Sequence, residues 1–567
     1  MISRYPGEFR YNKRRRASRI GIIVLSVIVA IIVCLTAAFF VKKKNAALKI
    51  TEKYLASADA DVVLYTYDEY ERRLFPMEET VQRGTIVTST GEQYTENGVT
   101  YDVIEYNGET CYISSPTSLT DDPENIATET EKWIRTSVTV YKNNEDSQIE
   151  SFLKKGTHVD ILGYDYLNDD GSANMYQIQA GDITGWVYAK YLVNSETEAC
   201  AAYESILSIH EEYTYGSDLY GGTASSLDWY PVEKVSFEDN VMPDDVRGMY
   251  LYAGALANID EYLEIAKENG VNAIILDVKD ENLICRFDTA EEYSPTSNEY
   301  CWYSEETVLA AVQKIKDGGF YLICRIVVFN DEYYAQDNPD EAIESDSATQ
   351  LWPSAYSRAC WQYNILLAEE CIEKFGCNEI QFDYVRFPAE SYIMSTDEST
   401  DFKNTYNEEK AEAIQNFVFY ACDQIHKYGV YVSIDVFAEC ANKYISSYGQ
   451  YYPAISNICD AISAMPYTDH FGTTVDTWSD PYSTILEWAT LAADRQSEIE
   501  TPAQARTWLT GYSVPYWNVT VKCDEEYVTE EASALYDAGL TGGFMIWNAA
   551  SSLSFYESYA AAWSYDY

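Results

Sequence analysis

EIQFDYVRFP, Glu379 to Pro388, decides how the rest of this chain is read. Glu379-Ile380-Gln381-Phe382 has the apolar and aromatic content of a buried strand, with the helix-stopping Gly376 just behind it. The strand delivers a carboxylate, Asp383, and a guanidinium, Arg386, before Pro388 ends regular pairing. An acid and an arginine at the C-terminal tip of a strand sit where parallel-sheet proteins build their sites. The plainer alternative is an Asp–Arg pair that only pins the following loop. The surrounding chain weighs between the two.

From Val246 onward, apolar runs alternate with stretches of helical period. VRGMYLYA (246–253), VNAIILDVKD (271–280), FYLICRIVVFND (320–331), EIQFDYVRFP, VYVSIDVFAEC (430–440), CDAISAMPYTDH (459–470), ARTWLTGYSVPYW (505–517) and TGGFMIWNA (541–549) read as strands. Between them lie helical stretches such as IDEYLEIAKENG (259–270) and AEAIQNFVFYACDQIHKYG (411–429). Strands that are apolar along their whole length imply a parallel sheet covered on both faces. Eight such repeats predict a (β/α)8 barrel over 246–567 rather than an open sheet. The first turn, YAGALANID, lacks the glycine-rich phosphate loop expected of a dinucleotide fold.

In a barrel the strand tips converge on one mouth, and here they carry Asp277, Lys279 and Asp280; Arg325 and Asp331; Asp383 and Arg386; Asp435 and Glu439; Tyr467, Asp469 and His470; Trp547 and Asn548. Acids from different strands, with aromatic residues beside them, suit hydrolysis of a glycosidic bond. One carboxyl protonates the leaving oxygen, and the other attacks the anomeric carbon or activates a water. Alternation puts Asp383 on the face of Gln381 and Asp435 on the face of Ser433, so both acids are expected to point inward. Arg325 and Arg386 are expected to hold the acids charged and lower their pKa values.

At this point the chain resembles a known family. DVKD, RIVVF, EIQFDYVRFP, VSIDVF, ISAMPY and GGFMIWNA together look like a bacterial glycosyl hydrolase family, formerly a domain of unknown function, distantly similar to α-amylase-like barrels. The resemblance spans about 247–556. It implies a TIM barrel and glycoside hydrolase membership, with Asp383 as nucleophile by analogy. The acid/base would come from strand five, where amylases carry a Glu. This chain has Asp435 there, with Glu439 one turn later.

Upstream, residues 61–192 change to short alternating strands rich in Tyr and Thr, with a weak internal repeat: RGTIVTST then TYDVIEYNGETCYI, and KGTHVDIL then MYQIQAGDITGWVYAKYL. That is hairpin grammar. The second copy, ending in GWVYAKYL (185–192), resembles bacterial SH3-like modules, which implies binding to cell-wall polymers; spacers are the alternative. Small SH3-like β-barrels are therefore expected at 61–118 and 131–193, joined to the barrel by a linker over 194–245.

Ile20 to Val41 is 22 residues without a charged side chain, enough to cross a hydrocarbon core of ~30 Å. Ten Lys and Arg and one Glu lie in residues 1–44. The heavier basic flank predicts a cytoplasmic tail (1–19), a single transmembrane helix (20–41) and extracellular domains after it; a cleaved signal peptide is the runner-up. The whole chain carries −52, which excludes nucleic acid as a partner. Thirteen dispersed cysteines without a C-x-x-C, and only four histidines, point to neither a zinc site nor a Ser-His-Asp triad.

The expectation is thus a membrane-anchored extracellular glycoside hydrolase of multidomain fold, acting on cell-wall or capsular polysaccharide without metal or cofactor. Asp383 is the expected nucleophile or base, Asp435 the acid and Glu439 its reserve. Asp277, Lys279, Arg325, Arg386, Tyr467 and Trp547 are expected to bind substrate. A non-catalytic wall-binding scaffold is the rival. Two acids facing each other across a cleft would favour hydrolysis; Asp383 neutralised by Arg386 alone would favour binding.

Overall fold

The computed structural model of the chain describes residues 51–56, 61–68, 70–77, 80–96, 98–114, 119–121, 131–166, 173–201, 209–210, 221–516 and 518–567. They belong to two compact units. One comprises residues up to 130 with 162–173, and the other comprises 131–161 and 174–567.

The first unit is built on a seven-stranded antiparallel sheet, ordered Arg73–Pro76, Tyr65–Asp68, Glu109–Ser114, Val99–Tyr106, Ile86–Glu96, Thr51–Leu55, Leu119–Thr120. A two-residue hairpin joins Val99–Tyr106 to Glu109–Ser114 through Asn107 and Gly108, both at positive φ (53° and 83°). An Asn-Gly pair tolerates that backbone, and its twist matches the flanking strands. Leu55, Leu64, Ile104 and Ile113 are among the buried residues of its core.

Strands at Glu131–Ile134, Val138–Tyr141, Ile149–Leu153, His158–Tyr164, Met175–Ala180, Ile183–Tyr188 and Leu192–Val193 form another seven-stranded antiparallel sheet, all of it in the second unit except residues 162–164. The rest is the barrel: β1 Val246–Leu251, β2 Ala273–Lys279, β3 Tyr321–Val327, β4 Glu379–Asp383, β5 Tyr431–Phe437, β6 Ala461–Met465, β7 Thr507–Thr510 and β8 Gly543–Trp547. Neighbours pair in parallel. Gln504–Ala505 pairs with β6, whereas β7 pairs with β8. The two ends of the sheet are therefore one strand interrupted at Arg506, which nearly closes the ring. All residues of β2 and β3 are buried, as strands covered on both faces require.

Alternate residues of β4 step up the barrel axis. Glu379 is deepest and accepts two bonds from Arg506 (2.8 and 2.9 Å), one from the Tyr321 hydroxyl (3.0 Å) and one from Ser433. Gln381 follows and donates to Ser463 (3.3 Å). Asp383 ends the series at the mouth.

The helix after β4, α4 (Lys410–Ile425), is buried at all 16 positions. A barrel helix normally keeps a polar outer face. Here the second small sheet covers that face. Tyr191 donates to Asp423 (2.9 Å), Lys190 pairs with Asp423 (2.7 Å), Ser137 donates to Glu412 (3.1 Å) and Tyr420 donates to the Ser147 carbonyl (2.7 Å). Tyr141 stacks on Tyr420. These bonds give partners to several of the polar groups the helix buries, which explains why KAEAIQNFVFYACDQI has no clean solvent stripe.

The expected fold class and placement need correction. The predicted tail and transmembrane helix, 1–19 and 20–41, lie outside the described residues. Among the described residues no helix is long and apolar enough to cross a membrane. The transmembrane architecture and the single-pass localisation are accordingly not retained. The upstream region consists of two seven-stranded antiparallel sheets and a two-stranded one rather than SH3-like barrels, and most of the second seven-stranded sheet shares a compact unit with the parallel barrel. All twelve described cysteines are free thiols.

Candidate active site

One side chain gathers the mouth of the barrel. Arg325, on β3, projects inward with only 2% of its surface exposed. β2 and β3 are in register at Asp277 and Arg325, which sets the two side chains beside each other. Nη1 of Arg325 donates to Asp277 (2.5 Å) and Nη2 donates to Asp383 (2.5 Å). Its Nε lies 3.8 Å from Oδ2 of Asp435, and neither of those two buried atoms makes a hydrogen bond. Three acids from β2, β4 and β5 thus surround one cation.

Each acid has a second anchor. Asp277 accepts from the Tyr250 hydroxyl at the end of β1. Asp383 accepts from the backbone N–H of Tyr384 (2.6 Å), and Asp435 accepts from the indole N–H of Trp508 on β7 (2.9 Å). Tyr384 holds φ at 54°, a left-handed backbone that costs a bulky residue of order 1 kcal/mol or more. That kink turns the chain sharply just beyond Asp383.

The electrostatics separate these groups. Burial pushes Asp435 well above the usual carboxylate range; the nearby charge of Asp383 adds to this, and Arg325 only partly opposes it. Burial also raises Asp277 to about 6, against the pull of Arg325. Burial acts to lower the Arg325 pKa, but Asp277 and Asp383 together outweigh it and hold the guanidinium firmly protonated. The expected lowering of carboxylate pKa values by Arg325 is therefore corrected for Asp277 and Asp435: desolvation wins over charge pairing.

The other expected residues are placed differently. Arg386 forms no ion pair with Asp383; it donates to the Phe387 carbonyl (2.9 Å) and lies over the rings of Phe437 and Tyr384. Lys279 is buried; its ammonium donates to the Val327 carbonyl (2.8 Å) and to Asn364 (2.8 Å) and forms an ion pair with Asp331 (2.7 Å). Asp331 also accepts from the backbone N–H of Tyr334 (2.9 Å), capping the next helix. Trp547 packs on Tyr250 at 4.5 Å, and Arg325 lies over its ring at 5.6 Å. Tyr467 is buried between His470 and Tyr512. Glu439 is exposed, accepts from Tyr444 (2.6 Å) and Tyr448 (3.1 Å), and lines a cavity of about 710 Å³ with Phe437, His470, Phe471, Glu487 and Trp488. Among the described residues no cluster of His, Cys, Asp and Glu could hold a metal ion.

Tyr250 and Trp508 escaped the reading from sequence. Alternation along GMYLY and RTWLT already puts them on inward faces, which was the available signal.

A family model described as "Putative glycosyl hydrolase domain" matches residues 248–553. The chain belongs to this family. The match takes in Tyr250, Asp277, Arg325, Asp383, Asp435, Trp508 and Trp547, so the whole constellation lies inside the glycosyl hydrolase domain. No curated protein matches the chain. Among solved structures, a hypothetical protein from Ruminiclostridium thermocellum is 27% identical, covering 33% of this chain and 97% of its own, with a TM-score of 0.28. A class V chitinase from Pseudomonas fluorescens is 12% identical, covering 55% of this chain and 98% of its own, with a TM-score of 0.37. A chitobiase from Flavobacterium johnsoniae is 10% identical with a TM-score of 0.38; the alignment covers 56% of this chain and 47% of the chitobiase, about half its length. Likeness of that degree assigns no residue.

Proposed function

We propose that this glycosyl hydrolase domain cleaves a polysaccharide with Asp383 and Asp435 as its working pair. The observation that carries the reading is their unequal setting around Arg325. Asp383 is salt-bridged to the guanidinium, whereas Asp435 faces it at 3.8 Å and is driven toward its protonated form by burial. Two neighbouring carboxyls whose environments separate their proton affinities divide into an acid and a base or nucleophile.

In this mechanism Asp435 gives its proton to the glycosidic oxygen as the bond breaks. Asp383 attacks the anomeric carbon or takes a proton from an attacking water. The charge left on Asp435 then develops 3.8 Å from the unbonded Nε of Arg325. Trp508 holds the other oxygen of Asp435 throughout. Asp277 and Tyr250 position Arg325. Trp547 and Tyr467 border the sugar, and Glu439, with its two tyrosine donors, is the reserve acid. Lys279 and Arg386 shape the rim from their own partners.

The substrate in this reading is a cell-wall or capsular polysaccharide. A chain carrying −52 repels acidic polymers, so neutral or amino sugars are favoured. The rival reading, a non-catalytic glycan binder, draws on the burial of both acids and the prior pairing of Asp383. Incubating the protein and its Asp383→Asn and Asp435→Asn variants with a panel of neutral, amino and acidic polysaccharides separates the two. Reducing ends should appear with a neutral or amino polymer and fall at least ~100-fold in each variant. Unchanged release by Asp383→Asn removes that residue from the mechanism, and no release from any polymer leaves the binding reading.

A further inference from the structure

Two large aromatic side chains, Tyr300 and Trp302, are exposed close together in the connection from β2 to β3, each in contact with a second ring. Tyr300 is 53% exposed and stacks on Tyr333 with ring centroids 5.1 Å apart. Trp302 is 48% exposed and meets the ring of Tyr252 edge-on at 5.9 Å. Tyr252 directly follows β1, two residues beyond Tyr250, and its ring lies where any side chain at Gly254 would collide with it. Trp302 is tied to the loop after β2 through its backbone N–H, which donates to the Leu283 carbonyl (3.0 Å), and Tyr333 is in the helix after β3. The platform therefore rims the mouth above β1, β2 and β3.

The cavity lined by Phe437, Glu439, His470, Phe471, Glu487 and Trp488 opens beyond the tips of β5 and β6. In a ring of eight strands, β1 and β5 stand opposite each other. Arg325 and its acids come from β2 to β5, so the strands that carry them run from the platform's side of the ring to the cavity's. The platform's flat apolar faces fit the faces of sugar rings. Glu439 and Glu487 are the acids of the cavity, and no Lys or Arg lines it, so it accepts hydroxyl and amino groups and repels carboxylates.

We propose that the platform and the cavity are the two arms of one open glycan cleft, so that the domain grips a long neutral or amino polysaccharide on both sides of its acids and cuts inside the chain. This rests on the hydrolase reading for the cutting, but not for the binding. The test therefore has two parts. Full-length Asp383→Asn protein is applied to an array of neutral and amino-sugar oligosaccharides from disaccharide to octasaccharide. Binding should strengthen with length beyond the tetrasaccharide. It should weaken about three- to tenfold on adding Trp302→Ala and, independently, on adding Phe471→Ala or the exposed His470→Ala.

Binding that is complete at the disaccharide, that responds to only one arm, or that is absent at every length overturns the cleft. With the wild-type protein, viscosity of a cleaved polymer should fall well before reducing ends accumulate; release of monosaccharides from the outset overturns internal cutting. Length-dependent binding by both arms without any hydrolysis would keep the cleft and reject the enzyme, so the two readings fail separately.

Discussion

Replacing Arg325 by Met keeps most of the side-chain volume and removes the one cation among Asp277, Asp383 and Asp435. Two 2.5 Å charge-assisted bonds disappear, and three buried acids are left facing one another. Breaking a buried pair from one side typically costs ~3–5 kcal/mol, and with two bonds lost the upper end is expected at pH 8. The cost should depend on pH in a defined direction. Asp277 already binds its proton more tightly in the folded state, at about 6 rather than 3.8, and Asp435 is raised further. A raised acid adds stability below its unfolded pKa and loses it as pH climbs through the folded one. For wild-type Asp277 alone that loss is ~3 kcal/mol between about pH 4 and 6. Without Arg325, which opposes the effect of burial on both, folded Asp277 and Asp435 hold their protons to still higher pH. The deficit of the variant should therefore be small at pH 4.5 and widen through pH 6 to 8. Urea unfolding followed by tryptophan fluorescence and far-UV circular dichroism at pH 4.5, 6 and 8 reads it directly. A deficit that is the same at all three values, or below ~1 kcal/mol at pH 8, would show that Arg325 merely fills space and would refute the charge argument.

Three further outcomes follow from the same geometry. Tyr384→Gly should relieve ~1 kcal/mol of backbone strain, offsetting the lost contacts with Trp352 and Arg386, while loosening Asp383; melting should change little and hydrolysis should fall more than ~10-fold, and undiminished hydrolysis would count against the kink. Burial raises Glu531 from 4.5 to about 8, against a bond from the Thr510 N–H, so its stabilising proton is fully bound below 4.5 and lost as pH rises through 8. Wild-type protein should lose up to ~5 kcal/mol over that range, and Glu531→Gln should have the higher urea midpoint at pH 9 but not at pH 5. A chain starting at residue 194 lacks the sheet that covers α4 and should aggregate on size exclusion, whereas one starting at 131 should elute as a folded monomer.

The strands and helices of the barrel were legible along the chain because burial on both faces writes itself as unbroken apolar runs. AIILDVK and YLICRIV have no solvent side to encode, and IDEYLEIAKE has only one apolar face to turn inward. Alternation was equally local, so Asp383 and Asp435 could be set on inward faces from Gln381 and Ser433 alone. What no local pattern contains is the stagger of one strand against the next. That stagger puts Arg325 rather than Arg386 on Asp383, and pairs Glu379 with Arg506, 127 residues further along. Lys279 and Arg325 were alike on paper, basic residues near adjoining tips; one faces inward to the acids, while the other is enclosed with Asp331 and Asn364. Desolvation, too, exists only once neighbours have closed around a group, and it reversed the sign expected for Asp277 and Asp435. The residues able to do chemistry were set by sequence, but their partners and their protons were set by which strands the closed ring made neighbours.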